Sequence, residues 1–415
     1  MKILLWHGYL LAGTGSNVYT QAIARAWSRA GHDVTVFCQE REPERFDLAG
    51  AIVVRPDLPG RVLPVFVLDA YEGLEPRLLQ DLTEPELDRY VTANAAALGE
   101  HLPADVVFCN HVLPGGAVGA ATGARFAVKA HGSELEYSIR GRVDLEEAAR
   151  AALERAGAVF AGSGHIAEVL REVVGPVERV YEVPPGVDVD EFVPQPRAEA
   201  LRDLLDECRR DPPNPRNANE RLPDEGNAQR LERFFEGNKP TVLYFGKLLY
   251  NKGVHLLLEA LHGLDAKAIV VGFGDYRDRL EHLAPPRTLF TGQLEHRHLV
   301  HLIPLADAVV VPSIFPEAFG MVAAEAAAAG CPPIVARHSG LAAVAEGLEE
   351  AYGERYRELA SFEQGDSVEL QEKLHDLLAL PEAERRALGA AARRVAVDRW
   401  SWESVAERLL EPFAP

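Results

Sequence analysis

Positive charge is in short supply in this chain: 43 Lys and Arg stand against 63 Asp and Glu, a formal net charge of −20 over 415 residues. That deficit repels polyanions and withholds the electrostatic term on which nucleic-acid binders depend. It also argues against a broad basic face on anionic lipid, so any membrane contact is at most peripheral. Cysteine is sparse as well. Cys38, Cys109, Cys208 and Cys331 are far apart and form no C-x-x-C pair, which argues against a disulfide framework or a thiolate zinc site. The opening apolar run, MKILLW, stops at His7 and Gly8, too short for a signal peptide or a bilayer span, so a cytoplasmic location is expected. No repeat of solenoid period is visible.

What the chain does have is enough apolar material to fold, 47% hydrophobic against 26% charged residues. Its length exceeds one core, so two domains of roughly 150 to 200 residues are expected. Short β-branched runs alternate with amphipathic stretches, the pattern of parallel strands joined by crossover helices. The first series runs from KILLW at 2–6 through strands near 32–37, 105–109, 125–130, 158–162 and 178–183, and ends in EVPPGVDVDEFVP, where Pro and Gly break regular structure. Residues 1–190 therefore read as one doubly wound α/β domain. The stretch 195–239, with DPPNPRNANERLPDEGN at its most polar, reads as an exposed insertion or linker without a core of its own. A second doubly wound unit is expected over 240–398, through TVLYFGK, AIVVGFG, RTLFTG, AVVVPS and PPIVAR. A terminal helix over about 399–415 is free to pack back on the first domain.

Strand ends of an open parallel sheet face a crevice where ligands bind. After TVLYF comes Gly246-Lys247-Leu248-Leu249-Tyr250-Asn251-Lys252-Gly253, two ammonium groups around a glycine turn, which suit a diphosphate. Read alone, both are ordinary solvated lysines. After AVVVPS, the stretch Ile314 to Glu325 carries Glu317 and then an alanine-rich helix beginning near Phe319, whose free N–H groups at Phe319, Gly320 and Met321 would form an anion site. Two carboxylates there, Glu317 and Glu325, favour a polyhydroxyl ligand over bare phosphate, because hydroxyls give them protons to accept. The bland alternative is a capping and a solvated glutamate.

Together, G-K-x-x-x-x-K-G and P-S-x-x-P-E-x-F-G-x-x-x-x-E-A-x-A-x-G resemble the retaining glycosyltransferases of family 4, which have the GT-B fold: two Rossmann-like domains facing a central cleft. The resemblance extends through VPPGVD at 183–188 and the Gly-rich first loop. It implies that Lys247 and Lys252 neutralise the donor diphosphate, that Glu317 with the amides of Phe319 and Gly320 holds the donor sugar, and that Glu325 binds the ribose. Gly272 and Gly274 would lie near the nucleotide. Lys247 stands where the family commonly has Arg, and Pro185 where it has Asn before Gly-Val-Asp.

In the first domain, Gly15 in Gly13-Thr14-Gly15-Ser16-Asn17 allows backbone to approach a sugar or phosphate. Val18 replaces the third glycine of a dinucleotide fingerprint, which weakens an NAD reading. His131 matches the family position that lines the donor sugar on the acceptor side, and His111 is a second acceptor-side candidate. His296, His298 and His301 read as surface or packing residues, because no carboxylate or thiolate accompanies them in a recognised metal pattern. No cofactor and no metal are expected, since no D-x-D motif is placed to hold one. The partners implied are a nucleotide-sugar donor and an unidentified small-molecule, glycan or lipid acceptor. A nucleotide-sugar epimerase, a sugar phosphorylase or a non-catalytic nucleotide-sugar sensor are the alternatives.

Overall fold

A computed structural model describes residues 1–69, 71–215 and 218–414. It divides into two compact units, Met1–Gly186 with Trp402–Pro415, and Val187–Ser401. The first holds strands β1 (Lys2–Trp6), β2 (Asp33–Phe37), β3 (Ile52–Val54), β4 (Val62–Val65), β5 (Glu75–Leu78), β6 (Val106–Asn110), β7 (Phe126–Lys129), β8 (Ala158–Ala161) and β9 (Val180–Glu182). Seven of them form a parallel sheet in the order β3-β2-β1-β6-β7-β8-β9, and β4 and β5 pair separately. Helices α1 (Gly15–Arg29), α2 (Glu84–Gly99), α3 (Gly115–Ala121), α4 (Val143–Arg155) and α5 (Gly164–Val174) connect them.

Alternation along β1 decides which residues meet which helices. Ile3 and Leu5 face the core built on α1, while Leu4 and Trp6 face the core built on α3 to α5. Both faces are covered, and for that reason the strands read as continuous apolar runs.

The second unit holds α6 (Arg197–Cys208), α7 (Asn227–Phe234), β10 (Thr241–Phe245), α8 (Val254–Leu261), β11 (Lys267–Val271), α9 (Arg277–Leu283), β12 (Thr288–Phe290), α10 (His296–Leu302), β13 (Ala308–Val311), α11 (Met321–Ala328), β14 (Pro333–Ala336), α12 (Ser339–Tyr356), β15 (Ser361–Phe362), α13 (Ser367–Ala379) and α14 (Glu382–Val395). Its six parallel strands run β12-β11-β10-β13-β14-β15. The order reverses between β1 and β6 in the first sheet and between β10 and β13 in the second, and such switch points are where open sheets bind ligands.

The chain then returns: α15 (Trp402–Leu410) belongs to the first unit, where Trp27 Nε1 donates to the Ala406 carbonyl at 2.9 Å and Trp402 packs edge-on to Tyr19. Among the described residues no helix is long and apolar enough to cross a membrane.

The expectation of an exposed insertion at 195–239 is corrected. Ala200, Leu204 and Leu205 of α6 and Ala228 and Leu231 of α7 are buried in the core of the second unit. Between these helices, Asp224 forms a nearly buried two-pronged ion pair with Arg277, at 2.9 and 2.6 Å. Average composition concealed the stripe: apolar residues at 200, 204, 205 and 208 line one helical face, and the charges occupy the other. The boundaries differ accordingly, with 187–239 joining the second unit rather than separating two domains. Leu204→Ala is expected to destabilise the protein by about 2–5 kcal/mol, as a cavity in a packed core does. Urea unfolding of the full chain measures this; a change within about 0.5 kcal/mol would instead mark a surface site.

Candidate active site

Two glycines without room for a side chain bring the loops of the second switch point together. A Cβ on Gly253, at φ +67°, would stand 1.8 Å from the Pro312 carbonyl oxygen, and one on Gly272 the same distance from that of Gly246. The Asn251 carbonyl accepts N–H bonds from Ile314 and Phe315 at 3.0 and 3.2 Å, which ties the loop after β10 to the loop after β13. Lys252 Nζ consequently lies 2.5 Å from Glu317 Oε1. Ser313 Oγ donates to the same oxygen at 2.8 Å, and the Glu317 N–H donates to Ser339 Oγ at 2.9 Å. Side-chain exposures of 32% for Lys252 and 23% for Glu317 leave the pair within reach of a ligand.

Lys247 is placed differently. It is exposed, and its ammonium has no hydrogen-bond or ion-pair partner among the described residues; only its carbonyl is engaged, by Tyr244 Oη at 2.8 Å. The structure thus joins Lys252 to Glu317 directly and leaves Lys247 as a free cation on the same loop.

The helix mouth lies slightly later than expected. Gly320, at φ +135°, precludes a helical start at Phe319, and α11 begins at Met321. Glu317 therefore belongs to the loop and not to the helix. Phe319 buries its ring edge-on to Trp400, with centroids 5.7 Å apart, so it contributes backbone at the mouth. The N–H groups of Phe319, Gly320, Met321 and Val322 donate to no acceptor among the described residues, while those of Ala323 and Ala324 close on the Gly320 carbonyl.

Glu325, just over one turn into α11, is partly accessible, and its carboxyl has no polar partner among the described residues. Desolvation by its surroundings pushes its pKa up to about 8. Gly272 and Gly274 line the adjoining loop after β11, where the Leu248 N–H donates to the Phe273 carbonyl at 2.7 Å. Beside it Tyr250, 61% exposed, stacks on His255 with rings 4.9 Å apart and meets Tyr276 edge-on. This aromatic group was missed, because its members are separated in sequence and no single residue signals the stack.

In the first unit, Gly15 opens α1 with free space around its Cα, so packing within the chain does not demand glycine there. His131 Nε2 lies 2.8 Å from Asn110 Oδ1, and its N–H donates to Glu134 Oε1 at 2.9 Å. Burial, then the proximity of His111, Lys129 and His7, holds its pKa well below the ordinary histidine value, and the ring is neutral. His111, at φ +68°, places Nδ1 3.4 Å from Glu134 Oε2. Burial disfavours the Glu134 charge, but His111 and backbone N–H groups outweigh it and keep the carboxyl below its usual range. Glu134, Asn110 and His7 were not singled out; the three-residue step from His131 to Glu134 was the available signal.

His298 packs in the interior, and Cys208 and Asp211, which form no sequence motif with it, come within ligand distance of it. The Glu295 N–H donates to His298 Nδ1 at 3.1 Å, which leaves Nε2 protonated and donating to Asp211 Oδ1 at 2.9 Å. Arg297 contacts that same oxygen at 2.6 Å, and burial lifts the Cys208 thiol to about 12. Asp211 Oδ1, engaged by both His298 and Arg297, joins the end of α6 to α10 among the described residues, and the thiol beside it stays protonated. A cavity of about 890 Å³ in the second unit opens at the amino-terminal edge of the sheet beside Asp307 and Gly330. Arg197 and Arg393 there donate to the carbonyls of Leu305, Phe192 and Val189. It lies at the opposite edge from the glycine loops.

Two doubly wound α/β units, each with its loops gathered at a sheet switch point, define the GT-B class of glycosyltransferase fold. Solved structures agree: sucrose-phosphate synthase from Thermosynechococcus elongatus superposes with TM-score 0.62 at 22% identity, covering 98% of this chain and 97% of that one. HepE from Anabaena, determined in complex with UDP, gives TM-score 0.68 at 19% identity over 99% of both chains. Residues 227–395 match the family Glycosyl transferases group 1, and residues 14–186 the Glycosyl transferase 4-like domain. A D-inositol 3-phosphate glycosyltransferase from Xylanimonas cellulosilytica is 30% identical, covering 96% of this chain and 91% of its own. The protein belongs to the group 1, family 4-like glycosyltransferases, and is an enzyme of that class.

A carboxyl whose pKa rises on folding, from 4.5 to about 8 at Glu325, stays protonated in the folded state while the unfolded chain ionises. Stability from this group is full below pH 4.5 and is lost progressively up to about pH 8. Glu325→Gln carries no charge, so its melting temperature is expected to rise relative to wild type between pH 5 and pH 8. A constant difference in thermal melts across that range would contradict the desolvation.

Proposed function

We propose that the chain transfers a glycosyl group from a nucleoside diphosphate sugar, held by the second unit, to an acceptor held by the first. The observation that carries this is the Lys252–Glu317 pair beside the open N–H groups of α11. In the transfer the bond between the anomeric carbon and the β-phosphate oxygen breaks, and its electron pair leaves on the diphosphate. The acceptor hydroxyl bonds to that carbon, and its proton passes to the departing phosphate.

Negative charge grows on the leaving oxygen in the transition state, and fixed positive charge there lowers the barrier most. Lys252 supplies it from a position set by Glu317, and Lys247, free on the same loop, meets the remaining phosphate charge. Glu317, with the amides of Phe319, Gly320 and Met321, orients the sugar hydroxyls, and Glu325 accepts from the ribose. The exposed Tyr250 ring offers a face for the base. With this charge supplied by side chains and a helix mouth, transfer proceeds without a metal, and the family resemblance implies retention of configuration. His131, neutral and anchored to Asn110, donates or accepts a hydrogen bond and does not act as a cation. The complex of HepE with UDP supports a nucleotide donor here.

Lys252→Ala is expected to lower kcat/KM by about 10²–10³-fold, the usual cost of removing one donor from a developing anion. Glu325→Ala is expected mainly to raise the donor KM. Release of free nucleoside diphosphate in the presence of acceptor, measured with UDP-, GDP- and ADP-sugars, is the assay. Wild-type turnover by Lys252→Ala would refute the assignment of charge.

A further inference from the structure

A pocket of about 220 Å³ occupies the switch point of the first sheet, where the loops after β1 and β6 meet the start of α1 and the segment following β4. Its walls are aromatic: Tyr9, Phe66 and His111 pack ring to ring at 4.8 to 6.0 Å, and Tyr71 stands beside them. Asn17 and Ser133 add polar groups, as do the hydroxyls of Thr14 and Ser16 at the start of α1. This volume is below the roughly 300–1,000 Å³ of drug-sized sites, room for one ring and not for a chain.

No lysine or arginine lines the pocket. The charge behind it is negative. Glu134 is fully buried and ionised against His111, and Asp69 acts on Tyr71 from the other side. His7 is neutral, its pKa lowered to about 3 by burial and then by His111, and His131 is neutral too. The buried ammonium of Lys129 is directed to the Val183 carbonyl at 2.6 Å. An anionic group brought here would be desolvated close to the Glu134 carboxylate with no lysine or arginine to receive it. Tyr9 Oη and His111 Nε2 are buried without a hydrogen-bond partner among the described residues. Such orphan groups are costly unless something else satisfies them, and ligand hydroxyls would do so.

We propose that the first unit accepts an uncharged, polyhydroxylated ring, a neutral sugar or cyclitol stacked on the Tyr9–Phe66–His111 wall, and rejects the same ring carrying a phosphate. This rests on the transferase reading and narrows its acceptor. Sugar rings present C–H faces to aromatic rings and hydroxyls at their edge, which matches an aromatic wall rimmed by Asn17, Ser133 and two hydroxyls. The acceptor chemistry thereby departs from the inositol phosphate in the name of the Xylanimonas relative.

The test compares matched pairs, myo-inositol with inositol 3-phosphate and methyl glucoside with glucose 6-phosphate, by saturation-transfer NMR on the full-length protein at low salt. At least one neutral ring is expected to bind about tenfold or more tightly than its phosphorylated twin. Tyr9→Phe is expected to weaken that binding and to raise the acceptor KM with kcat little changed. Equal or tighter binding of both phosphorylated twins, or no binding of either neutral ring at any attainable concentration, overturns the proposal. Thermal shifts with nucleotide sugars are read alongside: if they persist while the neutral rings fail, the acceptor class falls alone, and if no nucleotide sugar shifts the protein, the transferase reading falls.

Discussion

The ion pair of Lys252 and Glu317 depends on a contact that contains no side chain: the α-carbon of Gly253 lies against the Pro312 carbonyl. Any larger residue would force the loops after β10 and β13 apart, and the pair would open with them. Two N–H bonds to the Asn251 carbonyl, from Ile314 and Phe315, and the bond that the Ser313 hydroxyl donates to Glu317 then fix the approach. Glu317 is restrained through its side chain by Lys252 and Ser313, and through its N–H by Ser339, so the lysine is positioned before any ligand arrives. Preorganised charge of this kind costs no rearrangement when the leaving group departs.

The two units place opposite chemistry at equivalent points of similar sheets. In the second, cations and unpaired N–H groups collect around glycine loops, the arrangement that suits a dianionic leaving group. In the first, the corresponding switch point is aromatic and lined by no lysine or arginine, with the buried Glu134 carboxylate behind it against His111. A protein with a net charge of −20 thus keeps an unpaired lysine at one switch point and places no lysine or arginine in the lining of the other.

Much of this was legible before any coordinates. Alternating strand and helix patterns report two doubly wound units because strands buried on both faces must be apolar throughout. The lysines, Glu317 and Glu325 stood out because their spacing matches a family motif at strand ends. The polar stretch at 195–239 misled because burial follows the face of a helix and not its mean composition, so Leu204 and Leu231 reach a core that their charged neighbours obscure. Cys208 and Asp211 were invisible as neighbours of His298 for a related reason: some ninety residues separate them, and only packing of α6 on α10 brings them together.

The sequence by itself determined the fold class, the order of its elements and the residue types available at each strand end, since these follow from local periodicity and short motifs. Only the tertiary structure decided which lysine is paired and which is free, that His131 is neutral, and that a ring-sized aromatic pocket is lined by no lysine or arginine. Those properties arise from distances between residues remote in the chain and from the water that packing excludes, and neither is encoded in any single stretch.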